Sequence, residues 1–215
     1  MTKPTVLFIG RESDWLVPIA REYCRAHCDM TEASGDVPAY VLPHQWDYIL
    51  NVMGETILPE SLLCRARIAA LNFHPGPPNY PGRGCVNFAL YDNARQFGVT
   101  CHRMVEKVDA GPIVMVRRFP IWECDTVKTV LERTHTELLR LFYEIVDYIH
   151  YGGHPPVSLG DRWTRKPYTR ADLNKLATIT VDMDELEIER RIRATSYKQW
   201  KPEMLFRGKR WELKS

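Results

Sequence analysis

Pro75-Gly76-Pro77-Pro78 follows the extended run Ala69-Ala70-Leu71-Asn72-Phe73-His74 and forbids its continuation. Proline donates no backbone N–H, so a strand in this position must end at the histidine. Side chains at i and i+2 of a strand share a face. Asn72 and His74 therefore project together from an exposed strand terminus, while Phe73 faces the opposite way. Open α/β sheets place their sites at such termini. Further along, Val108-Asp109-Ala110-Gly111-Pro112 adds a carboxylate. An amide, an imidazole and a carboxylate can hold an oxyanion, accept a proton and orient the acceptor.

Around this strand the chain alternates extended and helical patterns. Thr5 to Ile9 is a continuous apolar run closed by Gly10, as expected of a buried parallel strand. Ser13 is then expected to cap a helix in which Trp15, Leu16, Ile19, Ala20 and Tyr23 recur at helical spacing. From Cys28 to Asp47 the pattern is weak and predicts at most a short strand and a loop. Tyr48 to Val52 reads as a buried strand and Pro59 to Cys64 as a short helix with proline in its first turn. Val86 to Ala94 reads as a helix, and Gly98 to Met104 and Ile113 to Phe119 as strands. Thr126 to Tyr151 is one long helix whose stripe comprises Val127, Val130, Leu131, Leu138, Leu139, Phe142, Ile145 and Val146. Met183 to Ala194 is helix-like, and Arg207-Gly208-Lys209 is a turn between two short apolar runs. A lone hairpin is marginal, so it must dock on the core or on a partner chain.

The 215 residues suit one main α/β domain, residues 1–160, with a small C-terminal appendage, residues 161–215. A net charge of +2 gives no global argument for nucleic acid or membrane. From Arg190 onward, however, nine Lys or Arg face only Glu203 and Glu212. A solvated hairpin face, contact with a diphosphate and a nucleic-acid surface explain that tail in decreasing order. The six cysteines form no CxxC pair and read as reduced thiols, and no leader or membrane span is visible, so a cytoplasmic location is expected. Cys24 and Cys28 read as packing residues. His27, His44, His135, His150 and His154 lack ligand spacing, so no metal is expected. His102 is read as facing away from His74, in a structural or supporting role. Gly10-Arg11-Glu12-Ser13 is a plain turn from which Arg11 or Ser13 can reach a substrate phosphate.

Asn72-Phe73-His74-Pro75, then Gly98-Val99-Thr100-Cys101-His102-Arg103-Met104, then Asp109-Ala110-Gly111-Pro112-Ile113 resemble, in order and spacing, the successive motifs of the folate-dependent formyltransferases. The resemblance is concentrated in residues 48–120. It implies a trimmed Rossmann-like sheet with helices on both faces, plus a C-terminal helix and β-hairpin. It also implies Asn72, His74 and Asp109 as the catalytic triad. N10-formyltetrahydrofolate is the implied co-substrate, with Val52, Met53, Gly54, Ile57, Leu58, Val105 and Val108 around it. The chain departs from the family pattern at Gly76 and Pro77, where a serine and a leucine are usual, and it is short between the first helix and Tyr48.

Formyl transfer to an amine needs those groups for chemical reasons. A neutral His74 takes the proton that the attacking nitrogen sheds, Asn72 donates to the oxyanion, and Asp109 fixes the imidazole and is expected to raise its pKa. Asn79, Tyr80 and Arg83, on the loop after His74, either meet the acceptor or pack the turn; Arg11 joins them as a substrate contact. About sixty residues follow the long helix, too few for the barrel of the transfer-RNA enzymes. The first turn lacks the glycine-rich phosphate loop of the glycinamide ribonucleotide enzymes. Arg165-Lys166-Pro167-Tyr168, Thr169 to Leu173, Arg191 to Ala194 and Met204 to Leu213 resemble the tail of nucleotide-sugar N-formyltransferases, where a helix and hairpin pack against a second subunit. The implied acceptor is a nucleotide-linked amino sugar destined for surface polysaccharide such as O-antigen, and the implied assembly is a homodimer. The alternatives are a glycinamide ribonucleotide or other small-amine formyltransferase, a formyltetrahydrofolate hydrolase and a non-catalytic folate-binding protein.

Overall fold

The computed structural model describes residues 3–33, 43–54, 56–155, 157–198 and 201–212. Most of the expected loop after the first helix lies outside the described residues. A six-stranded sheet runs in the order β2-β1-β3-β4-β5-β6, formed by β1 (Thr5–Gly10), β2 (Asp29–Ala33), β3 (Trp46–Val52), β4 (Ala66–His74), β5 (Gln96–Arg103) and β6 (Ile113–Pro120). The first four are parallel, while β5 is antiparallel to both β4 and β6.

Strand alternation divides the apolar residues between the two faces. Val6, Phe8, Tyr48, Leu50, Val52, Leu71 and Phe73 pack against α1 (Leu16–His27) and α4 (Val127–His150). Phe142 of α4 sits edge-on to Phe8 and Phe73, with ring centroids 6.1 and 5.0 Å away. On the opposite face Leu7, Ile9, Ile49 and Ala70 meet Leu58 and Leu62, the latter on α2 (Glu60–Leu63). Phe73 thus anchors the far side of the sheet and leaves its neighbours Asn72 and His74 on the other.

Helix ends follow local chemistry. Thr126 caps α4 reciprocally with Thr129: Thr129 N donates to Thr126 Oγ1 at 3.3 Å, and Thr126 N to Thr129 Oγ1 at 3.0 Å. The expected cap at Ser13 is not made. Residues 11–14 close a turn through Asp14 N to Arg11 O, Val17 N bonds Asp14 O, and α1 starts two residues later than Ser13 implies, with Trp15 at its N-terminus and no side-chain cap.

Beyond α4 come α5 (Arg170–Leu176), β7 (Thr178–Thr180), α6 (Glu185–Thr195), β8 (Glu203–Phe206) and β9 (Lys209–Glu212). The expected hairpin forms from β8 and β9. Arg207 and Gly208 take φ of +48° and +74°, the left-handed pair that a tight two-residue hairpin turn requires. It docks on its own chain, since β7 pairs in parallel with β8. The described C-terminal elements are held to α3 (Cys85–Tyr91) by Asn87 Nδ2 donating to Ala194 O at 2.6 Å and by Tyr91 Oη donating to Glu187 at 2.9 Å. No described helix is long and apolar enough to cross a membrane.

Candidate active site

β4 ends at His74, and the antiparallel register sets Asn72 directly opposite His102 and His74 opposite Thr100. Cross-strand partners share a face. His102 therefore lies on the same side as Asn72 and His74, which corrects the expectation that it faces away. The two imidazoles share one carboxylate: Asp109 Oδ2 is 3.3 Å from His74 Nδ1 and Oδ1 is 3.3 Å from His102 Nε2. The Gly82 N–H donates to Asp109 Oδ2 at 2.8 Å. Asp109 adopts φ +46°, a left-handed conformation that aspartate tolerates better than most residues. Gly111 lets this turn approach β5, because a Cβ there would lie 1.9 Å from Arg103 O.

A hydrogen-bond chain links both amides to the His102 ring. Arg103 O can only accept, so His102 Nδ1, 3.0 Å away, carries the hydrogen. His102 Nε2 lies 3.0 Å from Asn72 Nδ2 and 3.3 Å from Asp109 Oδ1, accepting from the amide when the ring is neutral and donating to the carboxylate when it is protonated. Asn72 Oδ1 in turn accepts from Asn51 Nδ2 at 3.0 Å. The second hydrogen of Asn72 Nδ2 is available to an oxyanion. Neither Asn51 nor His102 was assigned a part in the chemistry from sequence; the cross-strand registers Asn51↔Asn72 and Asn72↔His102 carry both.

Burial pulls the His74 pKa below its ordinary 6.5, outweighing the opposing pull of Asp109, with His102 adding to the decrease. Asp109 does act in the expected direction, but the net shift is downward, so His74 is neutral at pH 7 and ready to accept a proton. Burial also acts to raise the Asp109 pKa. The two imidazoles and the Gly82 N–H overcome it and hold the carboxyl below its ordinary 3.8. Cys85 Sγ lies 3.6 Å from His74 Nε2, and burial together with Asp109 pushes that thiol up to about 12, so it stays protonated. Tyr80 O is 3.4 Å from the same nitrogen.

These groups border a cleft of about 540 Å³. Met53, Gly54, Ile57, Leu58, Met104, Val105 and Val108 form an apolar side. Ile57, Val105 and Val108 are 68, 43 and 47 % exposed, so this apolar surface has room for a flat ligand. Arg11, Arg83, Lys107 and Arg170 give the cleft cationic groups. Three of the expected contacts are not made by the side chains named. The Val52 side chain is fully buried against α1 and α4, because alternation turns it away and Asn51 toward the cleft. The Tyr80 side chain is buried beside Phe97 with its hydroxyl donating to Asp92 at 3.1 Å, so only its carbonyl reaches the site. Asn79 is exposed and outside the cleft lining, and the Ser13 side chain does not line it either. No metal-holding cluster of His, Cys, Asp and Glu occurs among the described residues.

The appendage also reaches the site. Tyr168 N donates to Pro81 O, and Arg83 N to Tyr168 O, each at 2.9 Å, and Pro167 to Arg170 line the cleft. The boundary drawn at residue 160 therefore does not separate the cleft from the tail.

An open, mostly parallel α/β sheet with a polar cluster at a strand terminus is the arrangement in which such sheets hold their ligands. The chain belongs to the formyl transferase family, whose model matches residues 20–146. It is 38 % identical over 88 residues to a methionyl-tRNA formyltransferase from Listeria welshimeri; that stretch is 40 % of this chain and 28 % of the relative's length. Its fold is similar to a 4-N formyltransferase from Francisella tularensis, with TM-score 0.80, 14 % identity and 98 and 96 % of the two chains covered. It is also similar to an N-formyltransferase from Helicobacter canadensis in complex with folinic acid and dTDP-3-aminofucose, with TM-score 0.71, 16 % identity and 90 and 80 % covered.

Proposed function

We propose that this protein transfers a formyl group from N10-formyltetrahydrofolate to the amino group of a nucleotide-linked amino sugar, in the supply of surface polysaccharide such as O-antigen. The observation that carries the reading is the pair of imidazoles about Asp109, beside Asn72, at a cleft with an apolar side and four cationic residues. The apolar side suits the pteridine of a folate, and Arg11, Arg83, Lys107 and Arg170 suit the diphosphate of the acceptor. The folinic acid and dTDP-3-aminofucose bound to the Helicobacter canadensis protein favour the same pair of ligands.

In this reading the free amine attacks the formyl carbon, a C–N bond forms, and the carbonyl electrons move to oxygen. Asn72 Nδ2 donates to that oxyanion. A neutral imidazole takes the proton shed by the amine, and Asp109 offsets the imidazolium whichever ring carries it. The oxyanion then collapses, the bond to folate N10 breaks, and that nitrogen is reprotonated. The exposed Leu205, Phe206 and Trp211 of the hairpin form the contact of a homodimer.

Tetrahydrofolate release is to be measured with nucleotide-linked 3-amino and 4-amino sugars, with glycinamide ribonucleotide, with methionyl-tRNA and with no acceptor. Turnover that depends on an amino sugar is expected. Turnover with methionyl-tRNA alone, or formate release without any acceptor, overturns the reading.

A further inference from the structure

Trp163 lies outside the stretch matched by the family model, yet its indole stands against both imidazoles. The ring centroids are 5.0 Å apart for His102, at 89°, and 5.9 Å apart for His74, at 75°. Its Nε1 donates to Gly111 O at 2.7 Å, on the turn that carries Asp109. The adjoining chain is tied down as well: Thr164 N bonds Pro78 O at 3.3 Å, and Tyr168 bonds Pro81 and Arg83, next to the Gly82 N–H that holds Asp109. One half-buried side chain thus meets both imidazoles and the turn that carries Asp109.

We propose that Trp163 is a positioning residue that walls the two imidazoles from water and locks the Asp109 turn in line with Asn72. The inference rests on the formyl-transfer reading for its catalytic consequence, but its physical core concerns the histidines themselves. The titratable groups facing His74 are Asp109, His102 and Cys85. Burial is the leading influence on the ring, so removing the wall hydrates it and must move its titration upward. A misplacement of the set by about 1 Å can cost about a hundredfold in rate.

The test compares Trp163→Phe, which keeps an aromatic wall but loses the bond to Gly111, with Trp163→Leu, which loses both. Ring nitrogen NMR titrations of His74 and His102, thermal melts and steady-state kinetics are recorded for each. Both variants should fold. The His74 titration should move upward in Trp163→Leu and less so in Trp163→Phe. The kcat of Trp163→Leu should drop at least about tenfold with KM for the amine changed less than about threefold, the signature of lost alignment rather than lost binding. Superimposable titrations overturn the proposal, as does a rise in KM with kcat unchanged. If Trp163→Leu does not fold, Trp163→Phe decides through the lost Gly111 bond: a lowered kcat at little-changed KM supports the proposal, and an unchanged kcat overturns it. The titrations need no substrate. A shifted titration in a protein that transfers no formyl group therefore defeats the functional reading and leaves the wall standing, whereas an unshifted one defeats the wall alone.

Discussion

Asp109 divides one negative charge between two bases. Its two oxygens face different rings, so it must offset the proton wherever that proton rests. Under formyl transfer, Asp109→Asn should lower kcat more than His74→Asn or His102→Asn singly, in single-turnover reactions at saturating amine. A His102→Asn variant as fast as the parent removes that ring from proton transfer. Asn72→Ala should cost about 10²–10³ in kcat, as loss of an oxyanion donor does elsewhere. His74 also gives stability a pH dependence. Its folded pKa lies below 6.5, so between those values the unfolded chain binds the proton and the folded chain does not. The contribution is complete above about pH 6.5 and is lost as pH falls toward the folded value. Asp109, also depressed, adds its own loss at more acid pH, as protons bind below 3.8 and through its folded pKa. Urea midpoints should therefore decline less steeply below pH 6.5 in His74→Asn than in the parent; equal declines would remove His74 as their source.

At the level of elements, α4 holds the sheet from the face opposite the cleft, and Phe142 is its central contact. Phe142→Ala should destabilise by about 3–5 kcal/mol in urea unfolding, the usual cost of emptying a buried phenylalanine site. A loss below about 1 kcal/mol, the scale of an exposed substitution, would contradict this anchoring. α4 was also among the most legible elements, because over its length a helical stripe has no competing pattern. β4 was legible for a different reason, since Pro75, Pro77 and Pro78 dictate its end. His102 was misread because alternation along one strand says nothing of which residue lies opposite on the next; register supplies that. The parity that joins Asn72 to His74 also separates Asn51 from Val52, so the sequence alone turns Val52 to the core and Asn51 to the cleft. Trp163 and Tyr168 lie where no period exists, and α5 and β7, at 7 and 3 residues, are too short to show one.

Across the whole molecule, the tail performs two tasks in sequence. Residues 163–170 stitch the loop after β4 and reach the cleft, while the hairpin beyond them carries exposed Leu205, Phe206 and Trp211. If those side chains form a homodimer contact, Phe206→Ser with Trp211→Ser should yield a monomer in sedimentation velocity with the parent fold retained by circular dichroism. A monomeric parent would refute the assembly.

The chain of bonds from Arg103 O through His102 and Asn72 to Asn51 has a polarity that no side chain in it chooses. Each amide or imidazole in that row could be reversed; the peptide carbonyl at its root cannot. While His102 is neutral, the direction in which Asn72 offers its hydrogens is therefore set by the backbone of β5, where the β5–β6 register shifts between Cys101 and His102. Replacing the Arg103 side chain leaves that instruction intact. A strand end that offered Nδ1 a peptide N–H instead of a carbonyl would turn the row around and present an Asn72 oxygen to the cleft.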